Sequence, residues 1–284
     1  MSDSPTAAQP IAALSIRGVH KRFGGVVAVN GCTFDVPQGS ITGLIGPNGA
    51  GKTTLFNVIS GFLAPNEGQI LLNGVDVAGE KPNELFQRGL VRTFQIPHEF
   101  QRMTVLENLM VVPSGQQGER ILNTWLRWSK VQDQEAEVRE RADEVLEILR
   151  MTHVRNELAG LLSGGQKKLL ELGRTMMAKP KVVLLDEPGA GVNPTLMREL
   201  SEHILRFKTE MGCSVCIIEH DMDLIAELSD SVIVLTSEGV LAEGSMEEIR
   251  ANDQVIEAYL GHTGVGAGPR RVEKGAGAGR VPPS

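Results

Sequence analysis

Gly46-Pro47-Asn48-Gly49-Ala50-Gly51-Lys52-Thr53 has the spacing G-x-x-x-x-G-K-[ST], between a short apolar run at 41–45 and a helical pattern over 52–62. That context marks a loop that cradles phosphates. Its glycines let backbone N–H groups turn inward, and the helix start behind them favours negative charge. Lys52 supplies a point charge for β and γ phosphates, and the Thr53 hydroxyl is a ligand for Mg²⁺. Thr54 completes the candidate set. Downstream, Val182-Val183-Leu184-Leu185-Asp186-Glu187 is an apolar run ending in two acids. At the end of a buried strand Asp186 would hold Mg²⁺, and Glu187 would orient or deprotonate an attacking water. A lone acid pair often merely starts a loop, but after a phosphate loop the metal reading leads. In Leu162-Ser163-Gly164-Gly165-Gln166, Ser163 and Gln166 have capping-box spacing for a helix to Ala178. Two glycines in a first helical turn cost stability and bare backbone N–H groups, so a second anion site is the sharper reading.

These loops need a framework. Residues 14–36 read as an antiparallel strand pair, with Gly24-Gly25 and Asn30-Gly31 as turn signals. Buried-type strands at 41–45, 182–186, 214–219 and 231–235, linked by helical segments, predict an α/β fold with a largely parallel sheet. Between 102 and 161 the strand pattern stops. There Val138, Ala142, Val145, Leu146 and Leu149 share one face of a charged helix. Trp125 and Trp128 in this insertion suit either a core role or a membrane-interface or partner-docking role.

Hydrophobic residues are 41% of the 284, charged residues 22%, and the net charge is −7, which speaks against a general nucleic-acid grip. No apolar run is long enough to span a bilayer, and residues 1–10 lack an export signal's basic start and apolar stretch. A cytosolic protein is expected, with any membrane role running through partners. Cys213 and Cys216 form a C-x-x-C inside a strand pattern, where inert packing outweighs redox chemistry. The Gly/Pro/Arg-rich end predicts a disordered, solvated tail.

Together the motifs resemble the ATP-binding subunit of ABC transporters. The likeness is carried by the phosphate loop, Gln95 in Arg92-Thr93-Phe94-Gln95, Leu162 to Gln166, Asp186-Glu187 and His220, in the family's order. It implies a P-loop NTPase (RecA-like) core with an antiparallel β subdomain and an inserted α-helical subdomain. The cassette would span 13–262, with the insertion at about 100–161, a flexible N-terminus at 1–12 and a disordered tail at 263–284. The cofactors implied are ATP and Mg²⁺. The resemblance also implies that Phe23 stacks on adenine, a core role being the alternative, and that Gln95 touches Mg²⁺ or the attacking water. His220 would contact the γ-phosphate, although a lone histidine is more often structural. Two such subunits would pack head to tail, so that Ser163, Gly164, Gly165 and Gln166 of one complete the ATP site of the other, with residues 189–192 as a contact loop. Gly189 and Val192 depart from the alanine and leucine expected there.

A narrower likeness, in Arg22-Phe23-Gly24-Gly25, Val91-Arg92-Thr93-Phe94-Gln95, Glu219-His220-Asp221-Met222 and Ala258-Tyr259-Leu260-Gly261, is to branched-chain amino acid importers. The long stretch between Gln95 and Leu162 resembles the larger of their two ATPase subunits. The partners implied are a second ATPase subunit, as a heterodimer or else a homodimer, two membrane permeases, and indirectly an extracytoplasmic solute-binding protein. The chain would sit at the cytoplasmic face of the inner membrane. Transport of amides, urea, organic acids or lipopolysaccharide stays open. So does a soluble ABC ATPase of DNA repair or translation, although this chain has one ATP module and only a short insertion.

Overall fold

The structure, a computed structural model, describes residues 12–93, 99–113 and 128–260. Two long strands, β1 (Ala12–Phe23) and β2 (Val26–Pro37), form the expected antiparallel pair and turn at Gly24-Gly25. Asn30-Gly31 is not a turn. It lies inside β2, where the register slips between the pairs Val19–Cys32 and Lys21–Val29, so the turn signal marks a bulge instead. β4 (Glu67–Leu72) and β5 (Val75–Asp76) complete a four-stranded sheet of order β2-β1-β4-β5.

The second sheet has six strands in the order β10-β9-β3-β8-β7-β6. Its members are β3 (Ile41–Ile45), β6 (Leu90–Arg92), β7 (Val182–Asp186), β8 (Ser214–Ile218), β9 (Ser231–Thr236) and β10 (Gly239–Gly244). All neighbours pair in parallel except β10, which returns antiparallel to β9. The run-on apolar character of β3, β7 and β8 follows from burial on both faces. In β7, Val183 and Leu185 face one core while Val182 and Leu184 face the other. β8 alternates likewise, with Val215 and Ile217 in the first core and Cys216 and Ile218 in the second.

The second core is closed by the antiparallel sheet and α1 (Lys52–Ile59), which stops three residues short of the expected helix end, with Ser60 as its cap. The first core is closed by α3 (Val105–Met110), α4 (Trp128–Ile148), α5 (Gly164–Met177), α6 (Pro194–Thr209) and α7 (Met222–Leu228). α2 (Pro82–Arg88) precedes β6, and α8 (Met246–Arg250) and α9 (Asp253–Leu260) follow β10. The predicted stripe is the buried face of α4: Ala142, Val145, Leu146 and Leu149 are buried and Val138 packs partly against them. Cys213 and Cys216 are free and buried, and burial pushes their thiols up to about 11 and about 12, so neither is a reactive thiolate. No described helix is long and apolar enough to cross a membrane. Gln95, Trp125 and the glycine-rich tail lie outside the described residues, as does the start of the chain.

Candidate functional site

Because β3, β6, β7 and β8 run parallel, their carboxyl ends share one edge of the sheet. The residues there are far apart in sequence but adjacent in register. β3 delivers the phosphate loop, β7 delivers Asp186 and Glu187, β8 leads into His220, and β6 delivers Arg92.

In the phosphate loop Gly46, Gly49 and Gly51 all have positive φ. At Gly46 a Cβ would stand 2.0 Å from the Leu235 carbonyl oxygen, and at Gly51 it would stand 2.0 Å from that of Ala28. The loop is therefore wedged between β9 and β2 by backbone contacts that only glycine admits. Lys52 is buried, and its Nζ donates to the carbonyls of Gly46 (2.7 Å) and Pro47 (3.1 Å). Burial lowers its pKa, opposed by the charges of Glu187 and Asp186. Thr53 is exposed on the first turn of α1, beside the partly buried Thr54.

Asp186 is buried at the end of β7 and pairs through Oδ2 with Arg92 Nη2 at 2.7 Å. The same guanidinium donates through Nη1 to Asn57 Oδ1 (2.7 Å) and Ser60 Oγ (3.1 Å) on α1 and its cap, and it lies over the Phe56 ring. The candidate metal donors are thus a carboxylate and a hydroxyl. These hard oxygens suit Mg²⁺, which takes one or two protein ligands and fills its shell with phosphate and water. Among the described residues no group of three His, Cys, Asp or Glu could form an all-protein cage.

Glu187 has φ 48, a left-handed conformation that costs a non-glycine residue on the order of 1–3 kcal/mol and gathers at functional sites. Its N–H donates to the Ile218 carbonyl (2.9 Å), and its Oε1 is hydrogen-bonded to His220 Nε2 at 2.9 Å. A carboxylate held by a histidine at the open edge of a phosphate loop can accept a proton from water. His220 is about half exposed, so its ring is open to the cleft side as well as bonded to Glu187. Phe23 is 48% exposed, which sets aside the core alternative; Lys21 Nζ lies 5.3 Å from its ring centroid.

The glycine pair of Leu162 to Gln166 lies elsewhere. Ser163 caps α5 as the spacing predicts: Gln166 N–H donates to Ser163 Oγ (3.3 Å), and Ser163 N–H donates to Gln166 Oε1 (3.0 Å). With Gly191, Asn193 and Leu196 these residues line an open pocket of about 490 Å³. Among the described residues no hydrogen bond joins 163–166 to 46–54.

Three residues of the site had no assigned role in the motif reading. Arg92 was quoted only as a neighbour of Gln95, yet an arginine ending an apolar strand needs a carboxylate, and Asp186 is that partner. Glu219 is buried and accepts from Gly189 N–H (2.6 Å) and His220 N–H (3.1 Å). Lys168 donates to the carbonyls of Pro188 (2.8 Å) and Ala190 (2.6 Å), a contact no sequence spacing announces.

A family model described as "ABC transporter" matches residues 29–190, and one described as "Branched-chain amino acid ATP-binding cassette transporter" matches residues 240–264. The chain is 43% identical to a probable branched-chain amino acid transport ATP-binding protein, LivG, of Archaeoglobus fulgidus, over 87% of this chain and 95% of the relative. It is 40% identical to the high-affinity branched-chain amino acid transport ATP-binding protein BraF of Pseudomonas aeruginosa, over 87% and 97% of the two chains. Among solved structures, a nucleotide-free ATP-binding cassette from an ABC transporter superposes with a TM-score of 0.74 at 37% identity, covering 87% of this chain and 98% of the other. The ADP conformation of such a cassette superposes equally, at 0.74 and 38% identity over 88% and 99%.

Proposed function

We propose, from the premise that this chain belongs to the ABC transporter family of ATP-binding cassettes, that it powers the uptake of branched-chain amino acids. The family makes it an ATP-binding ATPase subunit that works with membrane permease components. The substrate reading rests on the names of LivG and BraF relatives and on the carboxyl-terminal family match. One observation carries the chemistry: Glu187, hydrogen-bonded to His220, stands beside the strand end of Asp186 and within the electrostatic reach of Lys52.

In this reading the backbone N–H groups of residues 46–53 and the Lys52 ammonium bind the phosphates. Thr53, Asp186 and Gln95 would hold Mg²⁺, whose charge would offset that of the phosphate oxygens. Glu187 takes a proton from water as its oxygen bonds to the γ-phosphorus and the bond to the bridging oxygen of ADP breaks. His220 holds that carboxylate and meets the γ-phosphate, and Phe23 offers its open ring face to adenine. Ser163, Gly164, Gly165 and Gln166 complete the ATP site of a second ATPase subunit, most simply a related one in a heterodimer. The assembly sits on two permeases at the cytoplasmic face of the inner membrane, served from outside by a solute-binding protein.

Copurification from gently solubilised membranes, with the ATPase rate read with and without solute, tests the transport role. Two permeases, a second ATPase and stimulation by leucine, isoleucine or valine support it, whereas recovery of ribosomal or DNA-repair proteins overturns it. Glu187→Gln tests the chemistry: turnover should fall by roughly 10²- to 10⁴-fold while ATP binding persists. Normal turnover in that variant removes Glu187 from the mechanism.

A further inference from the structure

Glu219 and Gly189 have no part in the chemistry just described, yet they occupy its centre. The Glu219 side chain is buried, and its two oxygens are spent on two different loops. Oε1 accepts from the N–H of Gly189, two residues beyond Glu187, at 2.6 Å, and Oε2 accepts from the N–H of His220 at 3.1 Å. The two loops it joins are those whose side chains meet in the Glu187–His220 hydrogen bond. Charge-assisted bonds of this kind are stronger than neutral ones, and a buried carboxylate needs both. Lys168 closes the arrangement by holding the carbonyls on either side of Gly189, those of Pro188 and Ala190, with its charge within reach of Glu219 and Glu187.

We propose that Glu219 is a positioning residue that yokes the Glu187 loop to His220, and that Gly189 is the residue its carboxylate requires. A Cβ at position 189 would stand 2.8 Å from Glu219 Oε1 and 2.4 Å from Met197 Cε. The departure from alanine at this position thus has a local cause: a Cβ there would press on a carboxylate already fixed by two N–H groups, and alanine would enter only by shifting Glu219 and Met197.

The inference rests on the ATPase reading and is tested with the full-length chain in the assembly recovered with its ATPase and permease partners. Glu219→Gln keeps the shape but turns one acceptor into a donor, so one of the two N–H groups loses its partner. Its kcat should fall about tenfold or more with KM for ATP within about twofold of wild type, since among the described residues no hydrogen bond joins Glu219 to residues 46–54. In a His220→Ala background the same change should have almost no further effect, as expected of residues acting as one unit. Wild-type kcat in Glu219→Gln, losses that multiply in the double variant, or a parallel loss of ATP affinity would each overturn the proposal. Should Glu219→Gln fail to fold on thermal melting, Gly189→Ala decides: it leaves the carboxylate in place and should lower kcat in the same selective way, and unchanged turnover refutes the yoke. If the wild-type chain hydrolyses no ATP even when assembled with its ATPase and permease partners, the ATPase reading falls and takes the yoke with it; hydrolysis by wild type and variant alike removes the yoke only.

Discussion

Two glycine-rich segments in this chain look alike in sequence and are built on opposite principles. In the phosphate loop, Gly46 and Gly51 adopt φ of 152 and 89, and a side chain on either would run into a backbone carbonyl. In the segment that opens α5, neither Gly164 nor Gly165 has positive φ. A Cβ on Gly164 would meet nothing within 4 Å, and one on Gly165 would meet only the movable end of the Leu196 side chain. Glycine in the first segment is required by the fold of its own chain. In the second it is not, so the fold alone does not account for the bare backbone there, and under the head-to-tail pairing proposed above it would meet a partner's nucleotide. The surrounding polar groups divide the same way. The carboxylate at the phosphate end is held by Arg92, whereas Ser163 and Gly164 are exposed.

The contrast breaks first at Gly46. Gly46→Ala places a methyl against the Leu235 carbonyl and should cost on the order of 4 kcal/mol or more of unfolding free energy, abolishing nucleotide binding with it. Denaturant unfolding with a nucleotide titration reads both, and a variant that binds ATP normally would mean the loop is not wedged. Next comes Arg92→Met, which keeps the stem but leaves Asp186 buried without its cation, since both side chains are only 7% exposed. The cost should be about 3–5 kcal/mol, and Arg92→Met with Asp186→Asn should recover much of it, because the penalty belongs to the stranded charge. No recovery in the double variant would place the role of Arg92 in packing on Phe56 and Phe62 instead.

The same division explains what could be read from the sequence. The phosphate loop, the Asp186 strand and the Ser163 cap announce themselves because local geometry needs those residue types at those spacings. The two-faced burial of β7 and β8 was legible for the same reason, as unbroken apolar runs. β4, β5, β6 and β10 were missed: β5 spans only two residues, β6 only three, and β10 is only partly buried, so none of these three carries a clean period-two pattern. Asn30-Gly31 misled because a bulge and a turn use the same residues. Arg92, Lys168 and Glu219 were missed for another reason. Their distant partners are Asp186, the Pro188 and Ala190 carbonyls and the Gly189 N–H, brought in by the fold, and nothing local encodes such pairings.

Smaller effects sharpen the comparison at the second segment. Ser163→Ala removes the acceptor for Gln166 N–H and should destabilise by about 1 kcal/mol, the usual worth of an N-cap, seen as a modest drop in melting temperature. Gly164→Ala should cost nothing. With ordinary φ and open space at Cβ, alanine should leave the unfolding free energy unchanged or raise it by up to about 1 kcal/mol through the entropy it removes from the unfolded chain. If the bare backbone is there for a partner's nucleotide, this stable variant should still lose ATP-driven dimerisation in a Glu187→Gln background, where hydrolysis no longer disperses the closed pair. Stability and association moving in opposite directions is an outcome the phosphate loop cannot produce, because there the glycine that binds is also the glycine that folds. A Gly164→Ala chain that dimerises normally would leave Ser163 to Gln166 as a helix cap alone.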